Sequence, residues 1–281
     1  MIKVLNPGIY STIQDNGRKD YRKIGVPVSG AMDTYSAQLA NHLLHNDEVA
    51  ALIELTFGGC KLEFLTDTLI CITGADFSPK LNDTRIQLNS VQKVAKGSVV
   101  SFGKRNYGVR TYIGVLGGIQ TEQFLNSRSF YKGITPDFIL HKGDVLPIAT
   151  VNSNLQQSFA KVKVNESHFS SEDIQCFKGP EFDLLSPEQV TLLQETSFSI
   201  SQDNSRMGYR LNEAIPNTFN SMLTSGVLPG TVQLTPSGKL IVLMRDCQVT
   251  GGYPRVLQLS EHAINILAQK TTGDRLRFVF E

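Results

Sequence analysis

The sequence predicts a mainly β protein that is divided into two halves. Short runs rich in β-branched and aromatic residues recur along the chain, separated by Gly-Gly, Asn-Asp and Lys-Gly pairs at the spacing of a β sandwich or barrel. Between residues 149 and 163 the composition changes to Asn, Ser and Gln without periodicity, which is typical of a linker. We therefore predict a β-rich first domain at 1–150 and a second domain at 164–281.

Composition and charge argue against several classes of protein. The 281 residues include 41% hydrophobic and 19% charged residues, which is ordinary for a globular protein. With 27 basic and 26 acidic residues the net charge is +1, and no basic block is present to neutralise a nucleic-acid backbone. No signal-peptide pattern or bilayer-length apolar run is found, so we expect a cytoplasmic protein without nucleic-acid or membrane partners. The four cysteines form no Cys-x-x-Cys pair, and we predict neither a metal site nor a disulfide framework.

The N-terminal segment 8–33 contains too many turn-forming residues for one regular element, and we predict a long, structured loop. Its charged residues Asp15, Arg18 and Asp33 are spaced by glycines, which suits a loop that folds around a ligand. An Ω-type surface loop with internal ion pairs would have the same composition, so both interpretations stay open.

After this segment, the first half is predicted to contain one helix and a series of short strands. Asp33 is a suitable N-cap for a helix over 34–45, and Asn46 can close that helix in a left-handed conformation. The strands predicted in the first half cover 52–55, 61–64, 68–73, 85–88, 98–102, 110–115 and 145–148. Polar side chains mark three of the predicted strand ends: Glu54, Asp76 and Arg128.

The second half is predicted to contain two helices among further strands. Ser186, Pro187 and Gln189 supply an N-cap, a first-turn proline and a capping-box partner for a helix that runs to about residue 195. Ser260 caps a last helix that runs to about residue 269. The strands predicted in this half cover 174–178, 198–201, 240–244, 256–259 and 275–280.

The segment 205–211 carries two arginines, Arg206 and Arg210, and the phenol of Tyr209 around a glycine. The planar guanidinium forms paired hydrogen bonds with carboxylates and phosphates, so this density of arginine suits anion recognition. An exposed strand with solvated side chains would explain the pattern almost as well.

The segment directly behind the apolar strand 240–244 has the composition of a site. It carries four polar side chains, Asp246, Gln248, Thr250 and Tyr253. Gly251 and Gly252 would permit positive φ and a close approach of ligand to the main chain, and the run 256–259 is interpreted as a return strand. A hairpin loop whose Asp and Thr bond their own backbone is the alternative. Cys247 has no neighbouring histidine, so we interpret it as a packing residue rather than a nucleophile.

Motifs of one known family occur in order along nearly the whole chain. They are Gln14-Asp15-x-Gly17-Arg18, Gly25-Val26-Pro27-x-Ser29-Gly30-Ala31-Met32-Asp33, Leu39-Ala40-Asn41, Thr73-Gly74-Ala75-Asp76, Ser127-Arg128-Ser129, Arg206-Met207-Gly208-Tyr209-Arg210-Leu211, Gly226-Val227-x-Pro229-Gly230-x-Val232-Gln233 and Asp246-x-Gln248-x-Thr250-Gly251-Gly252-Tyr253-Pro254. Together they resemble the family called allophanate hydrolase subunit 2, also known as the biotin-dependent carboxyltransferase or Kip-antagonist family. Two positions depart from its pattern, because Cys247 stands where arginine is common and Val249 where threonine is common.

The resemblance implies a fold of two β-barrel-like halves, the C-terminal one cyclophilin-like, with a few short helices. It also implies a subunit of an ATP-dependent 5-oxoprolinase, which hydrolyses 5-oxo-L-proline to L-glutamate and is not active as this subunit alone. The implied partners are a Kip-inhibitor-like sister subunit and a third subunit of the LamB/YcsF type. ATP and Mg are the implied cofactors of the assembled enzyme.

The residue types fit activation of a lactam, whose carbonyl oxygen would be phosphorylated before hydrolysis. The candidate catalytic residues are Asp15, Asp33, Asp76, Asp246, Gln248, Thr250 and Tyr253. The candidate residues for binding substrate or phosphate are Arg18, Arg128, Arg206, Tyr209, Arg210, Gln233, Gly251 and Gly252. Because ligand sites favour domain interfaces, we expect a cleft between the halves that receives the loops 15–33, 206–210 and 246–253.

Two other functions stay open. The same motifs would suit a carboxyltransferase that moves a carboxyl group from carboxybiotin to urea or another amide, with biotin on a separate carrier because no Met-Lys-Met site is present. The chain could also be a regulatory binder of its sister subunit. An enzyme subunit carrying Asp246→Asn would lose turnover and still assemble, whereas equal loss of both would favour the binder.

Overall fold

The computed structural model describes residues 1–149 and 162–281, which divide into two compact units. The first unit comprises Met1–Arg18 and Ser29–Phe169, and the second comprises Lys19–Val28 and Ser170–Glu281. Most of the predicted linker lies outside the described residues, so the division into 1–150 and 164–281 stays a prediction. Within the described ranges, no helix is both long enough and apolar enough to cross a membrane.

The first unit consists of two β-sheets that share one hydrophobic core. Its strands are β1 (Ile2–Pro7), β2 (Tyr10–Gln14), β3 (Leu52–Thr56), β4 (Cys60–Phe64), β5 (Thr68–Asp76), β6 (Lys80–Leu81), β7 (Thr84–Arg85), β8 (Val91–Val94), β9 (Val99–Ser101), β10 (Tyr107–Val115) and β11 (Val145–Leu146). One sheet has the order β11-β1-β4-β9-β6-β7 and the other β2-β3-β10-β5-β8. Ile2 and Phe64 from the first sheet and Ile13 and Ile113 from the second belong to one buried cluster, as expected for sheet-on-sheet packing.

Helix α1 (Thr34–Leu43) covers the five-stranded sheet, where Ala37 and Ala40 contribute to a second buried cluster. The neighbouring strand β5 is buried along its whole length, which its β-branched run permits. Gly74 in β5 has a φ of 82°, and a Cβ there would lie 2.5 Å from the carbonyl oxygen of Arg110. Only glycine fits this close approach of β5 to its antiparallel neighbour β10.

The second unit is built on a closed barrel. Its elements are β12 (Asp173–Lys178), α3 (Pro187–Glu195), β13 (Phe198–Asn204), β14 (Gly208–Ala214), β15 (Ser225–Gly226), β16 (Thr231–Leu234), β17 (Lys239–Leu243), β18 (Thr250–Gly251), β19 (Arg255–Leu259), α4 (Glu261–Leu267) and β20 (Arg275–Phe280), and they follow the short helix α2 (Ser167–Ser170). The barrel has the order β12-β19-β16-β17-β14-β13-β20 and closes by the parallel pairing of β12 with β20. Tyr209 and Leu211 are fully buried while Arg210 between them is exposed, so side chains of β14 alternate between the two barrel faces.

Much of the predicted fold is confirmed. The protein is mainly β with short helices, and the second unit contains the closed barrel. Asp33 caps α1 by accepting from the amide of Ser36, and Ser260 caps α4 through the amide of Ala263. Ser186 forms the predicted capping box at the start of α3.

Several local predictions are wrong. The segment predicted as loop from residue 8 contains β2, and the strand predicted over 85–88 is confined to Thr84–Arg85. The left-handed residue after α1 is His45, with a φ of 54°, rather than Asn46. The side chain of Asn46 instead donates to the carbonyl of Val115 at 2.8 Å, a long-range contact that no local pattern encodes.

The strand β19 is not the return strand of β17. Each pairs with β16, which lies between them in the barrel. The segment 245–254, which we call the pocket loop, is therefore a crossing connection and not a hairpin loop. Within this connection only Thr250 and Gly251 pair with another strand, β15, so its position also depends on contacts made outside that ladder.

Candidate functional site

The outer face of the barrel carries a pocket that collects several of the predicted residues. Strands β14, β17 and β16 align Arg210, Ile241 and Gln233 in one row, because Ile241 is the register partner of both. The pocket has a volume of about 240 Å³ and is lined by Asp203, Ser205, Met207, Gly208, Arg210, Gln233, Ile241, Leu243, Gln248 and Tyr253. Four residues predicted from the sequence thus meet in one place: Arg210, Gln233, Gln248 and Tyr253.

A buried ion pair anchors the start of the pocket loop. Arg206 donates from Nε to Oδ2 of Asp246 at 2.8 Å and from Nη2 to Oδ1 at 2.9 Å. The backbone amide of Asp246 also donates to the carbonyl of Arg206 at 2.9 Å. Both residues are buried and neither lines the pocket. Their contacts give this pair a structural role in holding the loop, and the catalytic role of Asp246 stays a prediction.

The two glycines of the pocket loop, Gly251 and Gly252, differ in the space available for a side chain. Neither glycine has a positive φ, so the backbone here does not use the conformational freedom that the sequence permits. A Cβ at Gly251 would lie 2.5 Å from Nε2 of Gln233, whereas the nearest atom to a Cβ at Gly252 is the carbonyl oxygen of Met222 at 3.5 Å. A side chain at position 251 would therefore displace the carboxamide of Gln233, whose Nε2 donates to the carbonyl of Tyr253 at 3.3 Å.

We expect Gly251→Ala to displace the carboxamide of Gln233 and to lower the free energy of unfolding by about 1 kcal/mol, because a methyl group overfills this contact. Gly252→Ala is the matched control and should leave both unchanged, since its new methyl meets only ordinary packing distances. Urea denaturation measures the stability, and a crystal structure of each variant locates Gln233. A Gln233 side chain that stays in place in Gly251→Ala would contradict this explanation.

Three further residues of this unit lie outside the pocket lining. Cys247 is buried beside Val227 and Leu243, and burial raises the pKa of its thiol to about 11. A thiol with that pKa is protonated at neutral pH, in agreement with a packing role. Tyr209 lies in the barrel core with its hydroxyl 3.4 Å from the carbonyl of Lys270, and the binding role predicted for it stays a prediction. Thr250 is exposed on β18.

In the first unit, Asp15 ties two distant segments together. Its Oδ1 accepts hydrogen bonds from Gly17 N at 2.8 Å, Ser127 Oγ at 2.7 Å and Ser129 Oγ at 2.6 Å. Its Oδ2 accepts from Arg128 N at 2.6 Å. The carboxylate thus organises the Ser127-Arg128-Ser129 motif, and these contacts explain why the two motifs occur together in the sequence.

The two predicted phosphate-binding arginines of this unit also contact the main chain. Arg18 is fully buried and donates to the carbonyl of Ser129. Arg128 donates to the carbonyl of Thr121 at 2.7 Å and to Oε1 of Gln120 at 2.9 Å. Their role in binding phosphate stays a prediction.

Asp33 lies at the centre of a buried polar network. Besides capping α1, its Oδ2 accepts from Ser36 Oγ at 2.6 Å and lies 2.8 Å from Nε2 of His168. Its amide donates to the hydroxyl of Tyr112, which is 2.9 Å from Oε2 of Glu54. Burial and the neighbouring carboxylates raise the pKa of Tyr112 well above its ordinary value, so the phenol stays protonated. These contacts give Asp33 a structural role, and its catalytic role stays a prediction.

Asp76 lies at the edge of a second pocket, within the first unit. The carboxylate accepts from Ser78 N at 2.7 Å and Asn106 Nδ2 at 2.9 Å, and it pairs with Arg85 at 3.3 Å. The pocket has a volume of about 460 Å³ and is lined by Asp76, Arg85, Ile86, Gln87, Leu88 and Tyr107. The hydrogen bonds of Asp76 hold the turn after β5, and its catalytic role stays a prediction.

The predicted site residues are therefore distributed over both units. Asp15, Arg18, Asp33, Asp76 and Arg128 belong to the first unit, and the others belong to the second. The predicted shared cleft stays a prediction. Sequence patterns missed Asp203 and Ser205 of the barrel pocket, because they lie on another strand, β13, and in the turn after it. They also missed His168, which is 135 residues from its partner Asp33 and carries no local motif.

Comparisons with known proteins place the chain in a family. A family model described as "Carboxyltransferase domain, subdomain A and B" matches residues 24–280. The 5-oxoprolinase subunit that is designated C in Escherichia coli (strain K12) is 32% identical over 99% of this chain and 91% of that protein. The urea amidolyase of Lachancea kluyveri is 32% identical over 99% of this chain and 17% of that protein. The solved structure of TTHA0988 has a TM-score of 0.89 at 27% identity and covers 99% of this chain, which spans 55% of that longer chain. The chain belongs to the carboxyltransferase domain family, subdomains A and B.

Proposed function

We propose that this chain is the corresponding subunit of a 5-oxoprolinase, an enzyme that opens the lactam ring of 5-oxo-L-proline to give L-glutamate with coupled hydrolysis of ATP. The observation that carries the proposal is the end-to-end match with the E. coli protein, which covers 99% of this chain and 91% of that protein. The match with the L. kluyveri urea amidolyase covers only 17% of that much longer protein. This difference in the covered share of each relative favours the 5-oxoprolinase subunit.

The barrel pocket has the chemistry that a small lactam acid needs. Arg210 can pair with the carboxylate of 5-oxoproline, since a guanidinium fork matches carboxylate geometry. The carboxamides of Gln233 and Gln248 each offer a donor and an acceptor for the lactam carbonyl and N–H. The volume of about 240 Å³ lies below the range of drug-sized ligand pockets, which suits a substrate of this size.

The proposal places ATP and Mg in the assembled enzyme. Phosphorylation of the lactam oxygen would make an otherwise poor electrophile hydrolysable, which is what ATP supplies. Among the described residues, no group of three or more His, Cys, Asp or Glu side chains is placed to hold a metal ion. We propose that magnesium and nucleotide bind in the complex formed with a Kip-inhibitor-like sister subunit and a LamB/YcsF-type subunit. This chain supplies the lactam pocket.

Reconstitution tests the proposal. The chain is purified with the two other subunits, and ATP hydrolysis is followed with and without 5-oxoproline. We expect hydrolysis that depends on 5-oxoproline and on the presence of all three subunits. An assembled three-subunit complex that hydrolyses no ATP in response to 5-oxoproline would overturn the proposal.

Arg210→Ala should lower kcat/KM for 5-oxoproline by about 10-fold to 100-fold, the loss expected for one charge-assisted hydrogen bond. Because Arg210 is exposed, the free energy of unfolding should stay within about 0.5 kcal/mol of the wild type. Arg277→Ala removes another exposed barrel arginine that does not line the pocket and serves as the control. Equal kinetic losses in the two variants would remove Arg210 from the site.

A second candidate is the carboxyltransferase of a biotin-dependent urea or amide carboxylase. It is favoured by the carboxyltransferase description of the family and by the urea amidolyase match. In that case the pocket would bind the ureido ring of biotin and a small amide. Consumption of carboxybiotin that depends on urea, with no response to 5-oxoproline, would favour this candidate over the first.

A further inference from the structure

The pocket loop has little secondary structure to hold it. In the described part of the chain, its ladder with β15 consists of the pairs Ser225 with Gly251 and Gly226 with Thr250. The buried cluster beneath it is formed by Val227, Leu243 and Cys247. A connection with so short a ladder and so small a core belongs to the low-stability end of a structure. Additional contacts are needed to keep its side chains at the pocket.

Arg22 supplies such contacts from the opposite end of the sequence. It begins a short 3-10 helix, Arg22–Ile24, in the segment Lys19–Val28, which belongs to the second unit. Its Nη2 donates to the carbonyl oxygen of Val227 and, at 3.4 Å, to that of Val249. The amide of Val227 also donates to the carbonyl of Val249 at 3.1 Å. One guanidinium nitrogen therefore bridges both sides of the ladder at the point where it ends.

The surroundings of Arg22 indicate a role beyond stability. Its Nη1 is buried and has no hydrogen-bond partner among the described residues. Burying a charged donor without an acceptor is unfavourable, and such groups in native proteins call for a specific explanation. Val249, which Arg22 contacts, lies in the chain directly after Gln248, a residue that lines the pocket.

We infer that Arg22 is a positioning residue for the barrel pocket, acting through the main chain of Val227 and Val249 to hold Gln248 and Tyr253 at the site. The inference also gives segment Lys19–Val28, which belongs to the second unit, a role at the pocket of that unit. The kinetic test of this inference rests on the proposed function, whereas the hydrogen-exchange test does not.

Hydrogen exchange of the isolated chain is the structural test. We expect Arg22→Ala to raise amide exchange at Val227 and across residues 247–252 by about tenfold, while amides of β16 and β17 keep their protection. Arg22→Lys should give an intermediate result, because an ammonium group lacks the planar fork of the guanidinium. Lys23→Ala alters the exposed next residue and should leave exchange unchanged. Wild-type exchange at the pocket loop in Arg22→Ala would overturn the inference.

The kinetic test uses the reconstituted complex. Arg22→Ala should lower kcat/KM by about tenfold or more, and guanidinium chloride below denaturing concentrations should restore part of the loss, while sodium chloride should not. General destabilisation would be worsened by guanidinium, so rescue separates positioning from stability. A folded Arg22→Ala variant that shows full activity, or a loss that guanidinium does not restore, would overturn the inference.

Failure of this inference can be distinguished from failure of the proposed function. If the wild-type complex does not act on 5-oxoproline, the proposed function fails while hydrogen exchange still decides the role of Arg22. If Arg22→Ala does not fold, Arg22→Lys carries the test, and exchange at the wild-type level in its pocket loop overturns the inference.

Discussion

Asp246→Ala is expected to lower the free energy of unfolding by about 3–5 kcal/mol, because it leaves the buried guanidinium of Arg206 without its paired carboxylate. Both partners are largely shielded from solvent, and two hydrogen bonds at 2.8 and 2.9 Å join them. Urea denaturation followed by far-UV circular dichroism measures the change, since the protein contains no tryptophan. Asp246→Asn would share part of this loss, so it does not separate turnover from assembly in the way the sequence suggested.

The ion pair of Arg277 with Asp173 provides the control. Its N–O distance is also 2.8 Å, but both side chains are 54% exposed. Asp173→Ala should therefore cost roughly 0–1 kcal/mol. Similar losses from the two substitutions would mean that the buried pair does not anchor the pocket loop.

Asp33→Ala should destabilise the first unit by about 2–4 kcal/mol. The loss of the N-cap of α1 contributes about 1 kcal/mol. The buried His168 side chain, 2.8 Å from Asp33, contributes about 1–3 kcal/mol when its partner is removed. Asp33→Asn keeps a capping oxygen and should cost less. Urea denaturation of each variant measures these differences.

Ser186→Ala removes the cap at the start of α3 and an exposed hydrogen bond from Ser186 Oγ to Glu188, and should cost about 1 kcal/mol. It isolates the capping contribution from the buried contact with His168. A loss in Asp33→Ala no larger than that in Ser186→Ala would contradict the structural role assigned to the buried network. That result would favour a catalytic role for Asp33.

Elements with local signals were predictable from the sequence. The starts of α1, α3 and α4 are encoded by side chains that bond amides three residues away, so Asp33, Ser186 and Ser260 were identified correctly. Strand pairing lacks such a signal. The placement of β16 between β17 and β19 depends on closure of the barrel, which a local pattern does not contain. The strand β2 was missed because glycines and polar residues surround its short buried run.

The candidate site was predictable only in part, again because strand pairing has no local signal in the sequence. Arg210, Gln233, Gln248 and Tyr253 come from three stretches of sequence, and barrel register brings them to one pocket. Carboxylates were harder to interpret, because an Asp that orders a loop has the same neighbours in sequence as an Asp that acts on a ligand. Asp15 accepts one hydrogen bond from Gly17 and three from residues 127–129, and the sequence does not reveal how its oxygens are occupied.

Formation of L-glutamate from 5-oxo-L-proline by the reconstituted complex tests the central claim most directly. The complex is incubated with ATP and 5-oxoproline, with this chain present, omitted or replaced by Arg210→Ala, and glutamate and phosphate are quantified together. We predict coupled release of both products with the wild-type chain, none when it is omitted, and a strongly raised substrate requirement with Arg210→Ala. Glutamate formation at an equal rate without this chain, or none with an assembled wild-type complex, would contradict the account.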